Sequence, residues 1–206
     1  MQNDKKYPPI LDCNRYTLFT ENPGDPTKKS RLQWGISNSN PRISVFTNDE
    51  EKNLAIIGTN VSPEIFLIIL NMIKETALSE PGTKQKVEFI RTDRQDETVK
   101  YVSMTFFAGK DEKGIVWVSL IDKNKPKIKF NLKLWDFNKV YDKTGEPVSE
   151  SKGSEMYALS LVEALKGVYA PLMGEFASYQ GSGNKPAAKK PSAGLDSGGM
   201  GDEDIW

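Results

Sequence analysis

The sequence predicts an α+β protein in which two antiparallel sheets are each followed by a helix, in the order ββββα-ββββα. Three observations predict it. Short stretches rich in strand formers, separated by Pro, Gly, Asn and Asp turns, fill residues 15–58 and again 86–137. A strongly apolar segment, Ile65 to Leu78, lies between these blocks. A second segment, Ser154 to Tyr179, repeats apolar residues at three- and four-residue spacing.

The first four strands are expected at residues 15–20, 31–36, 42–47 and 53–58. Residues 22–30 read as a Pro/Gly/Asp/Lys loop, and 37–41 and 48–52 as turns. In the second strand Leu32, Trp34 and Ile36 share one face, and Arg31, Gln33 and Gly35 the other. The first helix has Ser62 as N-cap, Pro63 at the first helical position and Glu64 at the positive end of the dipole. Pro81-Gly82 stops it. It is apolar nearly all round, so it is expected to be covered on more than one side, by a sheet and by a second subunit.

The second set of strands is expected at residues 86–91, 98–108, 115–122 and 127–137, with turns at 109–114 and 123–126 and a polar loop at 142–152. The last helix is expected to start at Ser154 as its cap and to carry Tyr157, Leu161, Leu165, Val168, Leu172 and Phe176 on one stripe. Pro171, between Gly167 and Gly174, predicts a kink or break. Residues 1–180 thus read as one globular domain of two sheet-helix halves, about 7–82 and 84–180. The competing architecture is a five-stranded OB-like barrel with added elements.

Composition narrows the chemistry. Lys+Arg and Asp+Glu are each 28 in 206 residues, so the net charge carries no information about partners. The distribution does, because residues 84–143 hold 14 basic and 9 acidic side chains. Histidine is absent, which removes the commonest general base and metal ligand. The lone Cys13 permits neither an internal disulfide nor a multi-thiolate zinc site. The acidic pairs Asp96-Glu97 and Asp111-Glu112 and the triplet Asp49-Glu50-Glu51 lie in expected turns, and no phosphate-binding glycine motif is present. The expectation is a non-catalytic protein without cofactor or metal. The polar start of the chain and the short apolar runs predict a soluble, cytoplasmic protein.

The richest chemistry of the body lies in residues 125–137. Ile128, Phe130, Leu132 and Leu134 alternate with Lys125, Lys127, Lys129, Asn131, Lys133, Trp135 and Phe137. In an extended strand the second set shares one face, with lysines roughly 7 Å apart. Lysines neutralise phosphates and aromatic faces stack unpaired bases, which is the pairing a single-stranded nucleic acid needs. The bland alternative is a solvated lysine face guarding a strand against aggregation. Arg31, Trp34 and Arg42 offer a second basic-aromatic patch, although its alternation with Leu32 and Ile36 argues that Trp34 is core. Tyr101 and Trp117 lie on strands expected to flank the lysine strand, either as stacking platforms or as core.

Residues 181–206 read as a disordered linker of Gly, Ser, Pro, Ala and Lys that ends in Asp202-Glu203-Asp204-Ile205-Trp206. An acidic cluster with an apolar end suits docking into a basic, hydrophobic pocket on a partner protein. This tail resembles the C-terminal tip of bacterial and phage single-stranded-DNA-binding proteins. The order of elements from Tyr7 to Tyr179 resembles the topology of the Whirly-type single-stranded-DNA-binding fold. Tail and lysine face together resemble phage replication proteins of this class and the single-stranded-DNA-binding RNA polymerase cofactor of lytic phages. The resemblance implies sequence-independent binding of single-stranded DNA by Lys125, Lys127, Lys129, Lys133, Trp135, Phe137, Arg31, Arg42, Trp117 and Tyr101. It also implies recruitment of a replication, recombination or RNA polymerase protein by residues 202–206, and homo-oligomers. An oligomeric interaction module without nucleic acid is the second class of function that fits.

Overall fold

A computed structural model describes residues 16–22, 25–37, 40–47, 57–93, 95–134 and 138–180. It contains two antiparallel four-stranded sheets and two helices in the order ββββα-ββββα. Sheet A comprises β1 (Leu18–Asn22), β2 (Asp25–Ser37), β3 (Asn40–Thr47) and β4 (Ile57–Asn60), side by side in chain order. Helix α1 spans Pro63–Leu78. Sheet B repeats the meander with β5 (Lys84–Thr92), β6 (Lys100–Lys110), β7 (Val116–Ile121) and β8 (Phe130–Asn131), and α2 spans Glu150–Gln180. Among the described residues neither sheet closes on itself, so the barrel alternative does not hold.

Alternation places one face of each sheet on a common core. Leu32, Trp34, Ile43, Val45 and Ile57 of sheet A meet Phe106, Ala108, Val118, Leu120 and Phe130 of sheet B there, with Phe66, Ile69, Leu70 and Ile73 of α1 and Leu161, Val162 and Leu165 of α2 between and beside them. Trp34 sits at the junction, its ring centroid 6.1 Å from both Phe66 and Phe106. It is therefore core, as its alternation predicted. Tyr169 joins α2 to sheet A: its ring lies 4.5 Å from that of Phe66, and its hydroxyl donates to the carbonyl of Gly35 at 2.9 Å. Burial holds the Tyr169 phenol well above its ordinary pKa, so it stays a neutral donor.

The ends of the elements follow local chemistry. The Ser62 hydroxyl accepts from the Ile65 N–H and Pro63 opens α1, as expected. Lys110 caps the other end, donating to the carbonyls of Ala77 and Ser79, each at 2.9 Å, with Glu155 4.0 Å away. A buried cation there satisfies two orphan acceptors and meets the negative end of the dipole. The sequence placed Lys110 in a solvated turn; it is instead the last residue of β6.

Other boundaries also differ from expectation. Residues 25–30, read as loop, belong to β2, because Ser30, Lys29 and Asp25 pair with Thr20, Glu21 and Asn22. Helix α2 starts a turn before Ser154, and Ser149 accepts from the Lys152 N–H in its place. Ser154 is buried inside the helix, where its hydroxyl accepts from Val116 N–H (2.9 Å) and donates to Leu132 carbonyl (2.6 Å). It ties α2 to the end of the β7–β8 ladder. The helix runs through Pro171 to Gln180 without the expected break. Of the expected long strand at 127–137, Phe130–Asn131 forms β8 among the described residues, yet Ile128, Phe130 and Leu132 are buried and Lys127, Lys129, Asn131 and Lys133 exposed, so the predicted alternation survives there. Helix α1 is covered by both sheets and by α2, as the expected burial on more than one side requires, while Leu67, Ile68 and Leu78 on its outward stripe are exposed.

Candidate nucleic-acid interface

The face of sheet B turned away from the core is built by strand register. Across the four strands Lys84 stands opposite Gly109, Gly109 opposite Trp117, and Trp117 opposite Asn131. The next row is Lys86, Phe107 and Ser119, and the next Glu88, Thr105 and Ile121. Lys127 and Lys129 continue the face beyond β8 by alternation with buried Ile128 and Phe130.

Gly109 decides how Trp117 lies. A Cβ at that position would sit 2.3 Å from Trp117 Cζ2 and 2.8 Å from Nε1, inside contact distance. The indole therefore crosses the backbone of β6 in the space that a side chain would fill. Its outer side is flanked by lysines. Lys129 Nζ is 4.7 Å from the Trp117 ring centroid, Lys84 Nζ is 5.9 Å from it and 4.4 Å from that of Phe107. Each contact is worth about 0.5–1 kcal/mol at an exposed site, weak enough to exchange for another partner. The result is a pair of half-buried aromatic faces with two lysine ammonium groups above them.

The sequence-predicted residues divide among several places. Lys127, Lys129 and Trp117 belong to this face, and Trp117 is half-buried there rather than in the core. Lys125 is exposed in the turn that precedes it. Lys133 is drawn aside by an ion pair with Glu150 and rims a cleft of about 430 Å³ with Leu134, Lys139, Tyr141 and Val148. Tyr101 is exposed but stands apart. β6 carries one extra residue at Ser103, between the pairs Phe89↔Met104 and Ile90↔Val102. Tyr101 pairs with Arg91, which alternates with Ile90 and so lies on the other side of β5 from Lys84, Lys86 and Glu88. Arg31 and Arg42 share the outer face of sheet A, on the far side of the core. Trp135, Phe137 and residues 202–206 lie outside the described residues.

Lys84, Lys86, Phe107 and Gly109 were missed. Phe106-Phe107 gives no parity signal, because two adjacent aromatics hide which one is core. Gly109 carried the usable signal, since an isolated glycine in a strand marks close approach by another group, but it read as part of the following turn. On the face itself Glu88 pairs with Lys86; two other acidic side chains are occupied in their own turns. Asp96 accepts from the hydroxyl and N–H of Thr98, and Asp142 likewise from Thr144, and these hydrogen bonds hold both carboxyls below the ordinary Asp value.

No described helix is long and apolar enough to cross a membrane. Comparison with family models, with curated proteins and with solved structures finds no match.

Proposed function

We propose that this protein binds single-stranded DNA without catalysis and with little sequence preference, through the outer face of sheet B. The observation that carries the reading is the Trp117 indole laid over Gly109, with Lys84 and Lys129 above the rings of Trp117 and Phe107. An unpaired nucleotide offers what this face lacks. Its base covers a ring, and its phosphate takes up the ammonium groups that the base displaces, with release of condensed counterions. A duplex hides its base faces and cannot make the first half of that exchange. Lysine rather than arginine also favours contact with the backbone over bidentate reading of base edges. In this proposal the acidic end at residues 202–206 recruits a replication, recombination or RNA polymerase protein, and several copies act along one strand.

Fluorescence anisotropy of labelled oligo-dT across a salt series, with a duplex competitor, tests the reading. The expected outcome is preference for single strands, steep weakening with salt, and loss of the sheet B contribution to binding in Lys84→Ala/Lys129→Ala/Trp117→Ala. Absence of binding at low salt sinks it. One observation favours a second reading, an oligomeric interaction module: the exposed Leu67, Ile68 and Leu78 on α1. Sedimentation of Leu67→Glu/Ile68→Glu separates the two, since a shift to a smaller species together with no DNA binding by the wild type would select the module.

A further inference from the structure

The outer face of sheet A carries a second cationic and aromatic set that the reading above leaves unused. Register places Phe19 opposite Arg31 and Arg31 opposite Phe46, a row across β1, β2 and β3. The Arg31 guanidinium lies over the Phe46 ring, 4.5 Å from its centroid. Two rungs further, Gly35 stands opposite Arg42 and Arg42 opposite Asn60. Arg42 is held in place: its Nε donates to Ser44 Oγ at 3.1 Å and its Nη1 to Asn60 Oδ1 at 3.0 Å. Its Nη2 lies 2.6 Å from where a Cβ of Gly58 would be, so the fork is laid over a position that only glycine leaves open. Nη2 has no hydrogen-bond partner among the described residues. Lys29 extends the face, opposite Glu21.

We propose that this face is a second binding surface for single-stranded nucleic acid, so that one chain holds two strand segments at once. The inference rests on the reading of sheet B, and the chemistry is the same: cations for phosphates beside rings for bases. Topology keeps the two segments apart. The inner faces of both sheets meet in one core, with Trp34 and Phe106 in ring contact, so the outer faces look away from each other. A protein loaded on both faces brings two strands together, and the activity that follows is strand bridging, with annealing where the strands are complementary.

The test uses the full chain and an oligo-dT of about 8 nucleotides, within the roughly 4–16-nucleotide footprint of one single-strand-binding face. Titration at protein concentrations well above the dissociation constant counts oligonucleotides per chain, whatever the oligomeric state. The wild type is expected to take two. Arg31→Ala/Arg42→Ala is expected to take one and to lose energy transfer between donor- and acceptor-labelled oligonucleotides mixed in equal amounts. Lys84→Ala/Lys129→Ala/Trp117→Ala is expected to retain the other one. A wild-type endpoint of one overturns the inference without reference to any variant, and leaves the sheet B reading standing if that triple variant binds none. An Arg31→Ala/Arg42→Ala variant that still takes two oligonucleotides overturns it too, because the second segment then sits elsewhere. No binding by the wild type overturns both.

Discussion

The outer faces of sheets A and B are made of the same two ingredients, cations and aromatic rings, and differ in how the cations are held. On sheet B the ammonium groups of Lys84 and Lys129 rest on rings at 4.4–5.9 Å, and neither forms an ion pair among the described residues. On sheet A Arg31 likewise rests on the Phe46 ring, but the Arg42 guanidinium is fixed by Ser44 and Asn60. A lysine is a hydrated point charge on a flexible stem and follows a phosphate wherever the strand puts it. A clamped guanidinium offers a fork whose direction is set before the ligand arrives, which suits a fixed geometry. Glycine serves both faces in the same way, Gly109 beneath the Trp117 ring and Gly58 beneath the Arg42 fork. The contrast is between a face that adapts and a face that positions.

The comparison breaks most readily at Trp117. Removing the ring by Trp117→Ala is expected to weaken oligo-dT binding by about 1–3 kcal/mol, roughly 5- to 150-fold, if one base stacks there. Gly109→Val should act in the same direction with the indole still present, because the new side chain occupies the space beneath the ring. Anisotropy titration of labelled oligo-dT reads both effects, and an unchanged affinity in either variant would remove stacking from the account.

Lys110 sharpens the comparison from the other side. It belongs to the same strand as Phe107 and Gly109 but is buried under α1, bonded to Ala77 and Ser79. Lys110→Met leaves two carbonyls without their donor and is expected to cost about 1–3 kcal/mol of stability. Thermal unfolding followed by circular dichroism measures it, and the salt dependence of DNA binding should stay as in the wild type. Lys84→Ala/Lys129→Ala should do the reverse, with unfolding unchanged and the slope of log K against log salt reduced by about 0.7 for each phosphate that is no longer neutralised. If both variants lowered the slope, the division between a structural lysine and a binding lysine would fail.

The architecture was legible where periodicity is unambiguous. Leu32, Trp34 and Ile36 announced the inner face of β2, and Ser62-Pro63-Glu64 announced the start of α1. The Lys127–Lys133 alternation was legible too, even though only Phe130–Asn131 forms ladder pairs. What the sequence concealed depends on partners distant in the chain. Ser154 looks like a helix cap until the Val116 N–H and Leu132 carbonyl are seen beside it. Gly109 looks like a turn until register sets it opposite Trp117, and Lys84 looks like a linker until β5 aligns it with Gly109. Local propensity cannot supply register, and both candidate faces are products of register.

The finest distinction between the faces rests on Arg42→Lys. The substitution keeps the charge and deletes the planar fork that Ser44 and Asn60 hold. If the sheet A face acts by position, binding of a short oligonucleotide there should weaken by about 0.5–1.5 kcal/mol, the worth of one hydrogen bond, while the salt slope stays put because the phosphate charge is still neutralised. The measurement is made in the Lys84→Ala/Lys129→Ala/Trp117→Ala background, where only the sheet A face remains to be read. The equivalent exchange on sheet B, Lys129→Arg, should leave affinity nearly unchanged, since a mobile cation above a ring does not depend on a fixed fork. Equal effects of the two exchanges would mean that both faces act through charge alone. Their difference in geometry would then be a matter of packing.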